Sequence, residues 1–248
     1  MLSVSGPSDS LTLEEVKSQI YARNNPTLTP VDIEMHASTV HRILELKKKH
    51  NVFMLGHNYM EPLVFGLSTE KEQGDSLALS MKAVETDSDI IIFNGVRFMA
   101  ETAKVLNPNK TILIADKNSG CSLADDFGAE QVRELKAQNP GVPVMIYINS
   151  YAEAKAECDV CCTSANAVKI VESLGVKKVI FLPDDFLAKY VASQTDIEII
   201  SWKGTCEVHE QFNDQEINDI RKANPGIKII AHPECPPDVI EASDFAGS

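Results

Sequence analysis

Apolar runs alternate with helical patterns along most of the chain. A short helical stretch opens at Thr12-x-x-Glu15, and a longer one with apolar residues at helical spacing begins at Pro30. From residue 52 onward, short apolar runs typical of strands alternate with further helical stretches. This alternation predicts parallel α/β layers, with ligand sites at the carboxyl ends of the strands.

The strand pattern repeats itself. Apolar strands run into polar clusters at residues 52–59, 144–150 and 227–234, and the order strand, helix, strand, glycine, cysteine ends at Cys121 and again at Cys206. The interval between these cysteines exceeds the ~20–50 residues of a solenoid repeat. The fold class expected is therefore α/β, with three small three-layer α/β/α sandwich domains of short parallel sheets around a pseudo-threefold axis.

The domain boundaries follow from this repeat. We expect a lead-in at residues 1–35, a first domain at 36–125, a second at 126–210 and part of a third at 211–248. The third repeat stops before it reaches a cysteine of its own. On the sequence alone, we expect a fragment of a longer protein or a truncated product.

Charge and composition narrow the class of partner. The net charge of −13 argues against nucleic acid or an anionic membrane as the partner. Residues 1–10 lack the apolar segment of a signal peptide, and no window reaches the ~20 apolar residues of a membrane span. We expect a cytoplasmic protein, in which disulfides are rare, so the six cysteines are core residues, metal ligands or reactive thiols.

Polar residues at the strand ends are the first candidates for chemistry. Three pairs have the spacing i, i+2, namely His57 and Tyr59, Tyr147 and Asn149, and His232 and Glu234. On a strand this spacing places both side chains on one face, and His, Tyr and Glu are common proton-transfer residues. Any one pair is explained as well by ordinary polar strand ends, but three in register predict one shared cavity.

Hydroxyl residues stand where helices follow strands. Ser76 and Ser164 lie at such turns, and Ser248 occupies the equivalent place in the third repeat. Exposed N–H groups at a helix N-terminus bind anions, so these turns are candidate sites for carboxylates or phosphate. Ser76 and Ser164 are equally well explained as plain N-caps.

Cys121 and Cys206 are candidate metal ligands, because soft thiolates select iron–sulfur clusters, zinc or copper(I). Three such cysteines, one from each domain, would hold three corners of a four-iron cluster and leave one iron free as a Lewis acid. Zinc on three thiolates and water fits the same spacing.

The other cysteines are expected to play no such part. Cys158, Cys161 and Cys162 have a metal-like spacing, but the segment has the pattern of a buried strand that turns Cys161 and Cys162 to opposite faces. We expect them to pack in the core, and we interpret Cys235 as a non-ligand.

At these motifs the chain resembles the quinolinate synthase family of de novo NAD biosynthesis. The matching stretches appear in family order: GHNY (56–59), GDSL (74–77), GVRFMAETAK (95–104), GCSLAD (120–125), YIN (147–149), CTSANA (162–167), GTCEVH (204–209) and HPECP (232–236). The resemblance implies condensation of iminoaspartate (iminosuccinate) with dihydroxyacetone phosphate to quinolinate, with loss of phosphate and water. It also implies functional coupling to an L-aspartate oxidase or dehydrogenase that supplies iminoaspartate.

The resemblance further implies a [4Fe-4S] cluster on three cysteines and a role for each matching residue. Cys121 and Cys206 would be cluster ligands. Tyr59, Tyr147 and Glu234 would be acid/base residues that also meet the substrate, with His57 and His232 binding or assisting. The residues expected to hold substrate carboxylates or phosphate are Ser76, Asn149, Ser164 and Ser248.

The third family cysteine has no counterpart in this sequence, so we expect the chain by itself to hold a cluster poorly or not at all. Three alternatives to this prediction stay open at this point. They are an inactive fragment, a non-catalytic iron–sulfur sensor, and a zinc-dependent enzyme acting on a phosphorylated sugar. Retention of the proton-transfer residues argues against the sensor, which needs only thiolates.

Overall fold

The computed structural model describes residues 11–24 and 29–248. Residues 1–10 and 25–28 lie outside this description. The described chain divides between Ser119 and Gly120 into two compact units, and each is described by itself.

The secondary structure alternates as the sequence predicts. The helices are α1 Leu13–Asn24, α2 Pro30–Lys49, α3 Pro62–Phe65, α4 Ser76–Glu85, α5 Arg97–Leu106, α6 Ser122–Asp125, α7 Ala129–Gln138, α8 Ala152–Ala156, α9 Ala167–Ser173, α10 Asp185–Ser193, α11 Asp214–Ala223 and α12 Pro237–Ala242. The strands are β1 Val52–His57, β2 Gln73–Gly74, β3 Ile90–Asn94, β4 Thr111–Ile114, β5 Val144–Tyr147, β6 Val160–Cys162, β7 Lys178–Leu182, β8 Glu198–Ser201, β9 Ile230–Ala231 and β10 Phe245–Ala246.

Capping boxes fix the starts of the first two helices. Thr12 and Glu15 exchange side-chain and backbone hydrogen bonds ahead of α1, as the sequence predicts. Thr29 and Asp32 do the same at α2, with Pro30 in the first turn where its missing N–H costs nothing. Both helices bury apolar side chains in one core cluster that includes Val16, Ile20, Ile33, Ala37, Val40 and Met54.

The two larger sheets have the same topology. In the first unit the strand order is β2-β1-β3-β4, and in the second it is β6-β5-β7-β8, with every pairing parallel. A third, two-stranded sheet pairs β10 with β9, which matches the first two strands of the other sheets. The predicted α/β class with short parallel sheets is confirmed, and the repeat read from the sequence is visible as a repeated strand order.

The third sheet is shorter than predicted. The apolar run 227–230 forms a strand only from Ile230, and just before that strand the Ile229 N–H donates to the Asp244 carboxylate at 2.9 Å. Asp244 also pairs with Arg221 and Lys228 at 2.8 and 3.1 Å. A side chain therefore takes the place of ladder bonds at the start of β9.

A buried ion pair joins α2 to the first sheet. Lys47 Nζ lies 2.5 Å from Glu72 Oε2, and both side chains are largely buried. The Glu72 carboxylate also accepts the Met54 N–H at 2.9 Å and the Thr69 N–H at 2.7 Å. Three donors thus compensate the desolvation of one buried carboxylate.

Within the part of the chain that the structure describes, no helix combines the length and apolar character that a bilayer crossing requires.

Replacing Glu72 with alanine should lower the free energy of unfolding by about 3–5 kcal/mol, since the Lys47 charge then stays buried without an opposite charge beside it. Urea denaturation followed by circular dichroism measures this loss. Glu70→Ala changes an exposed residue of the same 3-10 helix, Glu70–Glu72, and should cost less than about 0.5 kcal/mol. Equal losses in the two variants would contradict the role given to the ion pair.

Candidate functional site

Glu234 is the centre of a polar cluster in the second unit. It lies in the turn after β9, and its side chain is only 3% exposed. Its Oε2 atom lies 3.3 Å from His232 Nδ1 and 3.6 Å from His209 Nδ1. The two imidazole rings stack with centroids 4.8 Å apart. Among the described residues Glu234 Oε1 and His209 Nδ1 have no hydrogen-bond partner, so the cluster has free capacity to bind a ligand.

Burial keeps this cluster uncharged. Desolvation, and to a smaller extent the charge of Asp184, raises the pKa of Glu234 to about 8. Desolvation lowers the pKa of His232 to about 4 and also lowers the pKa of His209. At neutral pH a protonated carboxyl therefore faces two neutral imidazoles, and its proton can lie between Oε2 and an Nδ1 atom. A neutral carboxylic acid of this kind can donate a proton at physiological pH.

Tyr147 reaches the same cluster from the end of β5. It is buried, and desolvation followed by the charge of Glu234 raises its pKa well above the usual value. A side-chain hydrogen bond with Ser164 acts in the opposite direction, and the Tyr147 hydroxyl in turn lowers the pKa of Glu234. The Tyr147 hydroxyl thus interacts with both Ser164 and Glu234 and links them in one polar group.

Cys121 and Cys206 belong to the same neighbourhood. Burial raises the pKa of both thiols, that of Cys206 to about 11. The charges of Glu234 and Cys121 raise the pKa of Cys206 further, so these three side chains lie within electrostatic range of one another. Backbone N–H groups that follow each cysteine lower the pKa in turn. Two soft donors that face N–H groups suit a metal or cluster that replaces the protons.

Two residues of this site were missed by the sequence reasoning. His209 stands three residues after Cys206, in the same matching motif, and that spacing was the available signal. Asp184 is fully buried two residues beyond β7, where a polar residue follows an apolar strand. The same strand-end argument that selected Tyr147 applies to Asp184.

In the first unit, the structure brings His57, Tyr59 and Ser76 together. His57 Nδ1 accepts the Tyr59 N–H at 3.2 Å, and His57 Nε2 lies 3.4 Å from Ser76 Oγ. The His57 and Tyr59 rings meet edge to face at 4.8 Å. Because Nδ1 accepts, the neutral imidazole carries its proton on Nε2 and donates it to Ser76. Burial lowers the pKa of His57, which favours this neutral form.

The structural reason given for the i, i+2 pairs was wrong for all three. β1 ends at His57, β5 ends at Tyr147, and Glu234 lies in a turn beyond β9, so strand alternation does not apply. Instead the N–H of Tyr59 and of Glu234 each donates to the Nδ1 atom of the histidine two residues earlier. A histidine-capped turn therefore brings each of these two pairs together. The convergence of all three pairs on one cavity stays a prediction.

In the third repeat, the pair His232 and Glu234 is shifted by one residue relative to the pairs of the first two repeats. His57 pairs with Gly74, Tyr147 with Cys162 and Ala231 with Ala246, and each of these partners stands two residues before a serine. By this register Ala231, and not His232, is the structural equivalent of His57 and Tyr147.

The interpretation of Ser76 and Ser164 as plain N-caps was wrong. Asp75 caps α4 through the Ala78 N–H at 2.8 Å. Asn166 precedes α9, and its side chain binds the Thr163 N–H at 2.7 Å. Asp75 and Asn166 thus occupy the positions expected for the serines, and both hydroxyls contact site residues, His57 and Tyr147.

The two remaining candidates lie beyond strand ends. Asn149 follows β5, and its buried Oδ1 atom has no partner among the described residues. Ser248 is exposed and follows β10. Their predicted roles in holding carboxylate or phosphate stay predictions.

The expectation that Cys161 packs in the core was wrong, because its side chain is exposed. Cys162 is buried, so the prediction of opposite faces is confirmed. Cys158 packs partly buried, with its thiol 3.2 Å from the Ala154 carbonyl oxygen. Cys235 is buried in a small apolar cluster with Ile217.

Comparison with known proteins finds a matching family and several similar relatives. The model of the family described as Quinolinate synthetase A protein matches residues 41–248. Quinolinate synthase 2 of Mesorhizobium japonicum is 51% identical over 237 residues, which cover 96% of this chain and 73% of the relative.

Two further relatives show the same similarity over a shorter share of their length. Quinolinate synthase of Xylella fastidiosa is 52% identical over 209 residues, covering 84% of this chain and 61% of the relative. The quinolinate synthase of Agrobacterium fabrum is 53% identical over 209 residues, which cover 84% of this chain and 60% of the relative. The chain therefore spans less than two thirds of the length of these two relatives.

The raised pKa of Glu234 makes a prediction about stability. A carboxyl whose pKa rises from 4.5 unfolded to about 8 folded contributes stability that is full below pH 4.5 and is lost as pH rises to about 8. Relative to Glu234→Gln, the wild type should therefore lose up to about 1.4 kcal/mol of unfolding free energy per pH unit in this window.

Urea denaturation at a series of pH values measures this difference. Glu241→Gln, at an exposed carboxyl of α12, is the control and should run parallel to the wild type. A profile of Glu234→Gln that also runs parallel would show that the folded and unfolded pKa values of Glu234 agree.

Proposed function

Because the chain belongs to the quinolinate synthetase A family, we propose that its polar clusters serve the condensation of iminoaspartate with dihydroxyacetone phosphate to quinolinate. The observation that carries this proposal is the grouping of Cys121, Cys206 and Glu234 within electrostatic range of one another. Iminoaspartate would come from an L-aspartate oxidase or dehydrogenase. The product retains two carboxylates, so groups that bind anions are needed besides the acid/base residues.

The thiols fit an iron–sulfur cluster as the metal centre. Cys121 and Cys206 are soft donors, and their flanking N–H groups favour the thiolate form that a metal requires. We propose that both would ligate a [4Fe-4S] cluster, which when bound supplies a Lewis acid for a substrate oxygen. The zinc alternative uses the same thiols, and metal analysis separates the two.

The chain's own residues supply the proton chemistry. Glu234 holds a proton at neutral pH and has a free Oε1 atom, so it can donate to a leaving hydroxyl of the substrate and then act as a base. Tyr147 lies beside it and can hand on a proton through its hydroxyl. Neutral His209 and His232 can bind substrate oxygens as donors or acceptors, because neither carries a charge that would need compensation in this buried place.

The first unit supplies a second polar group. His57 presents its Nε2 proton to Ser76, and Tyr59 exposes most of its side chain to solvent. We propose that Tyr59 acts as an acid/base residue and that Ser76, with the N-terminal N–H groups of α4, binds a carboxylate or phosphate. In the second unit, Ser164 and Asn149 would do the same, and the buried Oδ1 atom of Asn149 has no partner among the described residues.

Removing either thiol of the proposed centre should abolish soft-metal binding. Anaerobic titration with Cd2+ should give thiolate-to-metal charge-transfer absorption in the wild type and lose it in Cys121→Ser and in Cys206→Ser. Cys161→Ser is the control, because Cys161 is exposed on β6 and should leave the signal intact. Loss of the signal only in Cys161→Ser would place the metal elsewhere.

Turnover tests the role of Glu234. In an anaerobic assay of an intact relative of the family, which also carries the third cysteine, the change that matches Glu234→Gln should lower the kcat for quinolinate formation from iminoaspartate and dihydroxyacetone phosphate by about 100-fold or more. The variant's cluster absorption and KM should stay near those of the wild type, because glutamine keeps the size and an oxygen acceptor. Near-normal turnover would remove Glu234 from the mechanism, and zinc content with indifference to oxygen would favour the zinc enzyme.

A further inference from the structure

A side-chain hydrogen bond holds the segment that carries Cys121. The Tyr151 hydroxyl donates to Oδ1 of Asp125, which stands four residues after Cys121. Tyr151 is only 5% exposed and precedes α8 as its N-cap residue. A buried phenol needs a hydrogen-bond partner, and here the partner comes from 26 residues away in the chain. The bond therefore ties the Cys121 segment to the segment that follows β5.

The Asp125 side chain is in turn tied to the start of the thiol's own turn. The N–H groups of Ala124 and Asp125 donate to the Cys121 carbonyl at 2.9 and 2.8 Å, which closes the single turn of α6. A Cβ on Gly120 would lie 2.5 Å from Asp125 Oδ2, so the carboxylate folds back over the residue before the thiol. A contact that holds Asp125 thus also holds Cys121.

The same turn packs on the segment that carries Cys206. Leu123 is buried in a core cluster against which Cys121 also packs. A Cβ on Gly204, two residues before Cys206, would lie 3.1 Å from Leu123 Cδ1. α6 therefore has two anchors, because Leu123 joins it to the Cys206 segment and Asp125 joins it to the segment after β5.

We propose that Asp125 and Tyr151 are positioning residues for Cys121, and that the hydrogen bond between their side chains fixes where the thiol is presented. Asp125 ends the matching stretch GCSLAD, but the resemblance assigns it no role. The consequence for metal binding rests on the proposed function. The positioning itself stands on the hydrogen bond and on the packing at Gly120.

Alkylation of single cysteines by iodoacetamide, followed by mass spectrometry on the chain without added metal, tests this positioning. Cys121 is partly buried, so its thiol reacts faster when α6 opens. Tyr151→Phe removes the hydrogen bond and keeps every charge, and it should speed the alkylation of Cys121 about tenfold. Cys235 is buried in a separate apolar cluster with Ile217. Its rate reports global unfolding and should stay at the wild-type value.

Variants at Asp125 separate the hydrogen bond from the charge. Burial and, to a smaller extent, the charge of Asp125 raise the pKa of the Cys121 thiol, so loss of the charge alone increases the reactive thiolate. Asp125→Asn removes the charge but keeps an oxygen that accepts the Tyr151 O–H, and Cys121 should then react within about threefold of the wild-type rate. Asp125→Ala should match Tyr151→Phe. Asp126→Asn, at the neighbouring exposed carboxylate, is the control and should change nothing.

The double variant Tyr151→Phe with Asp125→Ala shows whether the two side chains act through one bond. It should react no faster than the single variants. The proposal is overturned by rates that multiply, by an unchanged Cys121 rate in Tyr151→Phe, or by equal increases at Cys121 and Cys235. It is also overturned if Asp125→Asn reacts as fast as Asp125→Ala, because the charge then explains the effect.

Anaerobic titration with Cd2+ separates this proposal from the proposed function. Tyr151→Phe should raise the Kd for Cd2+ about tenfold, since the thiol is no longer held in place, while the absorption at saturation stays that of the wild type. An unchanged Kd would contradict the positioning of the thiol. Absence of the signal in the wild type would contradict the proposed metal centre, and the alkylation rates would still decide the role of Asp125 and Tyr151.

Discussion

Desolvation of the Glu234 carboxyl is the constraint on which the second-unit cluster depends. Water is excluded from this side chain, so its charged form is costly and its pKa rises to about 8. The same exclusion keeps His209 and His232 neutral. A cluster whose glutamate is protonated at neutral pH can accept an anionic substrate despite the net charge of −13, because the Glu234 carboxyl then adds no negative charge beside the substrate.

The parallel sheets explain how these residues come together. In a parallel sheet all carboxyl ends lie at one edge. Tyr147 at the end of β5 and Asp184 after β7 therefore share an edge, because β5 pairs with β7. Gly204 permits the Cys206 segment to approach the β7 end closely. The repeated strand order then presents His57 in the first unit at the position that Tyr147 holds in the second. The same strand order thus places a different polar side chain, His57 or Tyr147, at the equivalent position of the two units.

The fold was predictable from the sequence because its signals are local. Capping boxes, apolar runs and helical spacing each depend on a few adjacent residues, and the order of β3, α5 and β4 recurs in β7, α10 and β8 as expected. The failures arose where a side chain replaced a backbone partner. Asp244 binds the Ile229 N–H just before β9 begins, and Asp75 took the cap expected from Ser76.

The candidate site was predictable in part. Strand-end position and motif selected Tyr147, Glu234 and both candidate ligand cysteines, but not His209 or Asp184, whose contacts are distant in sequence. Periodicity also gave the wrong reason for the His57 and Tyr59 pair, since a turn cannot be distinguished from a strand end by spacing alone. Exposure of Cys161 depends on what covers β6, which no local pattern encodes.

The central claim is that Glu234 is a neutral acid at physiological pH. Carbon-13 NMR of its side-chain carboxyl carbon, assigned by comparison with Glu234→Gln, measures this directly. The account predicts a titration with a pKa of about 8. A titration near 4.5, the ordinary value for glutamate, would contradict it.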